Sequence, residues 1–314
     1  MTLPDDPLAM GHHSNERVPG ERMDRLALAS ARVSFRLKVA LVWLAIFVVL
    51  GAFFWTAGFD TEWMKDNFTY VLGGLRYTMY IAVGGIVLAI ILATLGSLGR
   101  ISSNPIAYGI SGFYVSFFRG TPLIVQMFLI YLALPQVARN LVDEHPSLPD
   151  SVRTSVIFDA AVVGILALGL NYGAYMTEIF RAGIQSVSGG QAEAADALGM
   201  SYLQKMRKVI LPQALRVIIP PTGNEFIAMM KDTALVSFIG VTAATAEMFR
   251  RSQLVGKADF KNLEAFVLVA AMYWGLTALF TFFQQRLETK LSRGYVRGAA
   301  TAARHPGAGS GAGG

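Results

Sequence analysis

The 314 residues include no cysteine, so disulfides and thiolate metal sites are excluded. Histidine is nearly as scarce. His12, His13, His145 and His305 are the four present, and they show no metal-ligand spacing. Neither a metal nor another cofactor is expected. Charge is thin: 15% of residues are Asp, Glu, Lys or Arg, against about 25% in soluble domains. A water-soluble enzyme of this length would be short of surface charge. The nucleotide loop G-x-x-x-x-G-K-[ST] does not occur, so no phosphate cradle of that kind is available. No internal repeat is visible, which withdraws support from the inverted-repeat plan of many secondary transporters. No set of acid, base and nucleophile converges, as an enzyme would need.

What is present is apolar sequence in long runs, 54% hydrophobic overall. Six runs stand out: Val39 to Phe59, Thr78 to Leu98, Ile106 to Leu134, Ala160 to Phe180, a fifth from Pro220-Pro221 to near Met248, and Ala265 to Phe283. About 20 apolar residues cross a bilayer as a helix. A spanning barrel would instead show alternating segments of about 10 residues. The chain is therefore read as an all-α, polytopic membrane helix bundle. The third run is interrupted at Arg119-Gly120-Thr121-Pro122, and the fifth contains Lys231 and Asp232.

Six spans place both termini on one side. If that side is the cytoplasm, the inside segments hold 17 of the 27 Lys and Arg residues, and the outside segments hold 8. This bias favours cytoplasmic termini. One outside segment dissents, with Arg250, Arg251, Lys257 and Lys261. The first run is too long for the apolar core of a signal peptide, which has about 7–15 residues, and is read as a retained helix. Residues 1–38 lack apolar periodicity and read as a disordered cytoplasmic arm. Residues 292–314 read as a disordered Ala/Gly-rich tail.

Between the fourth and fifth runs, Gly190 to Leu198 is rich in good helix formers. Gly199 suits the left-handed position that ends a helix. Ser201 and Gln204 have the spacing of a capping box for a second helix, and Pro212 limits or kinks it. Two short helices joined by a glycine bend would make a compact cytoplasmic knob. Such a knob is either a passive interfacial hairpin or a docking element. Ala192, Ala194, Ala195 and Ala197 favour docking, because they leave a thin helix that fits a partner's groove.

The segment Glu193-Ala194-Ala195, then Gly199, then Val209-Ile210-Leu211-Pro212 resembles the EAA loop of ABC importer permeases, with Val209 where isoleucine is usual. Phe117-Phe118-Arg119-Gly120-Thr121-Pro122-Leu123-Ile124-Val125-Gln126 is similar to a stretch of the polar amino acid branch of that family. So are Ala174 to Ile184 and Lys231-Asp232-Thr233-Ala234-Leu235, the last with alanine where serine is common. The resemblance covers 68–291 and implies a five-helix type I importer core, to which the run at 39–59 is an extra N-terminal transmembrane helix. It implies a permease subunit in a bacterial inner membrane, not an enzyme. The partners would be two ATP-binding cassette subunits, a second permease subunit, identical or paralogous, and an extracytoplasmic solute-binding protein, with no nucleic acid. Coupling to the ATPase would run through the loop 189–212, by Glu193, Ala194, Ala195, Gly199, Leu211 and Pro212. The substrate would be a polar amino acid. The competing class is a secondary transporter or channel driven by an ion gradient.

Ionisable groups at membrane depth are functional candidates by default. Arg119, Glu178, Glu225, Lys231 and Asp232 qualify. Gly120 loosens the third run, and Thr121 with Pro122 forms a helix restart of cap and first-turn proline. Such starts expose N–H groups that attract carboxylates. Arg119 would hold a substrate carboxylate or form a gating or packing ion pair. Lys231 and Asp232 are adjacent and point in different directions. Glu178 lies three residues before Arg181 and pairs with it in the plainer reading. Asn171 and Tyr175 share a helix face, and with Gln126 and Thr121 they line a path or bond to a neighbouring helix. Gly169 and Gly173 form G-x-x-x-G, a packing motif.

Overall fold

The computed structural model describes residues 34–144 and 159–292. The four histidines and the greater part of both proposed disordered ends lie outside these residues. The chain divides into two units, residues 1–60 and 61–314. The first contains α1 (Phe35–Thr56). Ser34 caps it by accepting the amide of Leu37, so residues 35–38, expected in the disordered arm, are helical. Its far end carries Phe53, Phe54 and Phe59, with the rings of the last two 4.8 Å apart. Trp55 at the same end is 88% exposed, and the amphipathic ring of tryptophan suits a membrane–water boundary.

The second unit runs through α2 (Thr61–Leu72), α3 (Leu75–Ile101), α4 (Pro105–Gly120), α5 (Leu123–Glu144), α6 (Ala160–Gln185), α7 (Gly189–Ala197) and α8 (Tyr202–Lys205). A π-helical turn (Met206–Ile210) leads into α9 (Leu211–Asp232), followed by a 3-10 turn (Thr233–Phe238), α10 (Met248–Ala258) and α11 (Asn262–Ser292). Five described helices, α1, α3, α5, α6 and α11, are long and apolar enough to cross a membrane. α9 has the length but carries Arg216, Glu225, Lys231 and Asp232.

The fold is organised around α6, the most buried of the long helices, which packs along α3. Small residues permit the approach. A methyl group added at Gly169 would lie 2.6 Å from Leu88, and one at Gly173 2.6 Å from the Tyr114 hydroxyl. The G-x-x-x-G pair thus serves packing inside this chain. The core joins Val163, Ala167, Leu168, Tyr172 and Met176 of α6 to Ile81 and Ala89 of α3, Met127 of α5 and Met229 of α9. A second apolar cluster, Val71, Met248, Leu268 and Val269, joins α2, α10 and α11.

Two expected boundaries are corrected. The fifth run is not one span starting after Pro220-Pro221. α9 begins at Leu211, with both prolines inside it, and ends at Asp232. The carbonyl of Pro220 accepts a 2.6 Å hydrogen bond from the Gln284 amide, which ties α9 to α11. Beyond Phe238 the chain is irregular to Glu247, yet Ile239, Val241 and Ala246 are buried. Nor does Pro212 end a separate second helix. α8 continues into α9 through the π turn, and Pro212 stands in the first turn of α9, where a missing N–H is tolerated.

Glu247 has no exposed surface. Its carboxylate caps α10, accepting the amides of Phe249 at 2.7 Å and Arg250 at 2.6 Å and the Tyr273 hydroxyl at 3.0 Å.

Candidate functional site

α4 ends at Gly120, Thr121 is extended (φ −119, ψ 147), and α5 opens at Leu123. A break at membrane depth frees carbonyls that must find donors within the protein. The Thr121 hydroxyl donates to the Phe117 carbonyl at 2.9 Å. The Gln126 amide donates to the Phe118 carbonyl, the Thr121 carbonyl and the Thr121 hydroxyl at 2.9, 3.0 and 2.7 Å. The Asn171 amide donates to the Phe118 carbonyl at 3.0 Å and to Gln126 Oε1 at 3.1 Å. Gln126 and Asn171 thus hold the break in shape. Thr121 serves this network rather than the first amides of the new helix.

Beside the break lies a cavity of about 390 Å³, bordered by Thr121, Pro122, Asn171, Tyr175, Glu225 and Asp232, with Tyr172 also on its wall. The Tyr172 hydroxyl donates to Asp232 Oδ2 at 2.7 Å. The Arg119 guanidinium lies 5.2 Å from the centre of the Tyr175 ring, an attraction of the cation for the ring face. The site therefore offers two carboxylates, phenol and amide groups, and an arginine close by. Carboxylates suit an ammonium group and a guanidinium suits a carboxylate. That is chemistry for holding a small zwitterion.

Of the expected path residues, Thr121, Asn171, Tyr175 and Asp232 border this cavity, Arg119 stacks on its wall and Gln126 lies behind the break. Lys231 is elsewhere. It borders a separate groove of about 510 Å³ with Phe249, Phe266, Tyr273 and Trp274. Glu225 joins Asp232 on one wall. Their spacing of seven residues, two helical turns, was a legible sign of a shared face. Tyr172 carries no such sign, since it follows Asn171 directly and its role depends on α9.

Glu178 pairs with Arg181 at 2.7 Å as expected, and also with Arg100 of α3 at 3.3 Å. The second contact ties the ends of α3 and α6 together.

The knob is built as its sequence suggests. Gly199 has φ +69. Its amide donates to Asp196 O, and the Met200 amide donates to Ala195 O, the paired bonds of a Schellman end. Ser201 and Gln204 form the complete capping box. Lys205 spans the bend to Asp196 at 2.7 Å, and Gln213 of α9 reaches Gln191 of α7. Glu193, Ala194, Gly199, Leu211 and Pro212 are exposed. Ala195 is buried, at 3% exposure, within this chain. It supports the knob from inside, which corrects its expected contact with a partner. Leu198, Tyr202 and Leu203 are at least 65% exposed and form an apolar surface that the motif alone did not mark.

A family described as "Binding-protein-dependent transport system inner membrane component" matches residues 85–293. The probable amino-acid ABC transporter permease protein PatM of Vibrio harveyi is 40% identical over 240 residues, covering 76% of this chain and 100% of that protein. The arginine transport system permease protein ArtQ of Bacillus subtilis is 37% identical, covering 71% and 92%. A crystal structure of an amino acid ABC transporter with histidines superposes with a TM-score of 0.62 at 31% identity, covering 74% of this chain and 99% of that one.

Proposed function

The chain belongs to the binding-protein-dependent transport system inner membrane components, as a permease subunit of an ABC importer, and from that premise we propose that its polar cavity is the passage for a polar amino acid. Members of this family are multi-pass membrane subunits, and ATP hydrolysis resides in separate chains. They work with ATPase subunits, a partner permease and a binding protein. The observation that carries the proposal is the cavity beside the helix break, with Glu225 and Asp232 on one wall and Arg119 next to it. Carboxylates there receive the α-ammonium group, and Arg119 steers the α-carboxylate. Relatives named for amino acids, arginine among them, support the substrate class. The knob carries the ATPase contact through Glu193, Ala194, Gly199, Leu198, Tyr202 and Leu203, with Ala195 as its internal support. Leu211 and Pro212, the exposed first residues of α9, extend that contact. α1 is accessory to the 68–291 core, and both termini are cytoplasmic.

The test is reconstitution with the cognate ATPase and binding protein in proteoliposomes. Amino-acid uptake that requires ATP and the binding protein is expected. Uptake by this chain alone, driven by an ion gradient, would overturn the reading.

A further inference from the structure

α10 and α11 meet at a tight corner, Asp259-Phe260-Lys261. The Asp259 amide donates to Val255 O at 3.1 Å, and the Lys261 amide to Gly256 O at 2.8 Å. The Asp259 carboxylate accepts the indole N–H of Trp63 in α2 at 2.7 Å. A methyl group at Gly256 would lie 2.7 Å from the Ala265 side chain, so the two helices touch closely beside the corner. Phe260 stands at its tip with φ +55, the one non-glycine residue with positive φ among the described residues. It is also 91% exposed.

The left-handed conformation is ordinary for glycine or asparagine and an outlier for a bulky side chain. In the open, the ring recovers little packing from this chain to offset that strain. Glycine would close the same corner without it. Backbone strain that surrounding bonds maintain is characteristic of positions that clamp a ligand or partner. Lipid head groups would receive a ring from any backbone conformation and give no reason to fix one. A pocket in another protein does.

The helices determine which face the corner occupies. α9 leaves the knob at Leu211. Its Pro220 accepts a bond from Gln284, and its Phe226 packs on Phe280 with ring centres 5.3 Å apart, so α9 and α11 run antiparallel. From Gln284 back to Asn262, α11 covers about 33 Å at 1.5 Å per residue, close to the roughly 30 Å hydrocarbon core. The corner therefore projects from the face opposite the knob. Lys257 is exposed three residues before Phe260. Asp259 is engaged by Trp63, which leaves Lys257 to set the charge around the ring. An aromatic residue within a charged rim is the arrangement of an interface anchor.

We propose that Phe260 is an anchor for the extracytoplasmic binding protein, entering an apolar pocket of that partner with an acidic side chain at its rim beside Lys257. The site rests on the importer reading, which supplies the partner, and adds the residue that holds it.

The test uses the permease assembled with its ATPase in nanodiscs. The cognate binding protein is titrated in while ATP hydrolysis is read, and wild type should respond. Phe260→Gly relieves the strain, so the unfolding temperature should hold or rise. The binding protein needed for half-maximal stimulation should nevertheless increase at least tenfold. Phe260→Tyr keeps the ring and should dock as wild type does. Lys257→Glu should weaken docking about fivefold at low salt and less at high salt, where charge is screened. An unchanged half-maximal concentration in Phe260→Gly or in Lys257→Glu would overturn the proposal. A lower unfolding temperature in Phe260→Gly would also overturn it, by making the ring a packing residue. So would separation of the paired permease chains in that variant, because Phe260 would then lie between them. A wild type that the binding protein does not stimulate would remove the importer reading itself, and this site with it.

Discussion

Arg119 rests on the face of Tyr175, a contact worth about 0.5–1 kcal/mol where solvent reaches it. Folding depends on it little. Arg119→Ala is therefore expected to lower uptake at near-normal membrane abundance, measured as transport per permease detected in the membrane. Loss of the protein from the membrane would show the residue to be structural. Glu247 is the opposite case. It is buried and serves two amides and a phenol. Glu247→Ala leaves the Phe249 and Arg250 amides without their acceptor and should cost about 1–3 kcal/mol for each, read as a lower unfolding temperature of the purified protein. The two residues have the same formal magnitude of charge. Their partners separate a transport role from a packing role.

At the scale of elements, the bend between α7 and α8 is set by the backbone. A Cβ at Gly199 would meet nothing within 4 Å, yet φ is +69. Gly199→Val therefore acts through strain, since the left-handed conformation costs a residue with a β-carbon about 1–2 kcal/mol. The Schellman end should be lost, α7 misdirected and ATP hydrolysis uncoupled from uptake, while binding-protein docking persists. Gly199→Asn should retain more coupling, because asparagine accepts this conformation. Ala195→Asp should fail differently. It buries a charge inside the knob, so the permease itself should lose stability, with ATPase binding lost as a consequence. Pull-down of the ATPase together with limited proteolysis of the permease distinguishes the two outcomes. Equal, normal transport by both variants would leave the knob a passive hairpin.

For the whole molecule, cytoplasmic termini and a dispensable α1 are the expected outcomes. The absence of native cysteine makes labelling direct. His305→Cys should resist an impermeant thiol reagent applied to intact cells, and labelling there would reverse the topology. Deleting residues 1–59 should leave ATPase binding intact in a permease that still inserts the same way round. PatM is matched over its whole length by 76% of this chain, so about a quarter of this chain has no counterpart in that permease.

Features with a local cause were legible in the chain alone. Apolar length specified the spanning helices, Gly120-Thr121-Pro122 marked the helix break, and Gly199 with Ser201 and Gln204 encoded the knob's bend and cap. In each case the cause lies within a few residues of the effect. Features that depend on distant neighbours emerged in the folded chain. Gln126 and Asn171, 45 residues apart, both serve the carbonyls freed by the break. Tyr172 holds Asp232 from 60 residues away, Arg100 reaches Glu178, and Ala195 turns inward. The fifth run shows the limit most plainly. Residues 233–247 are apolar enough to continue a span, but they leave the helix at Asp232. Irregular backbone at such depth is tolerated where protein buries it, as at Val236, Ile239, Val241 and Ala246, and hydropathy does not distinguish apolar protein from lipid.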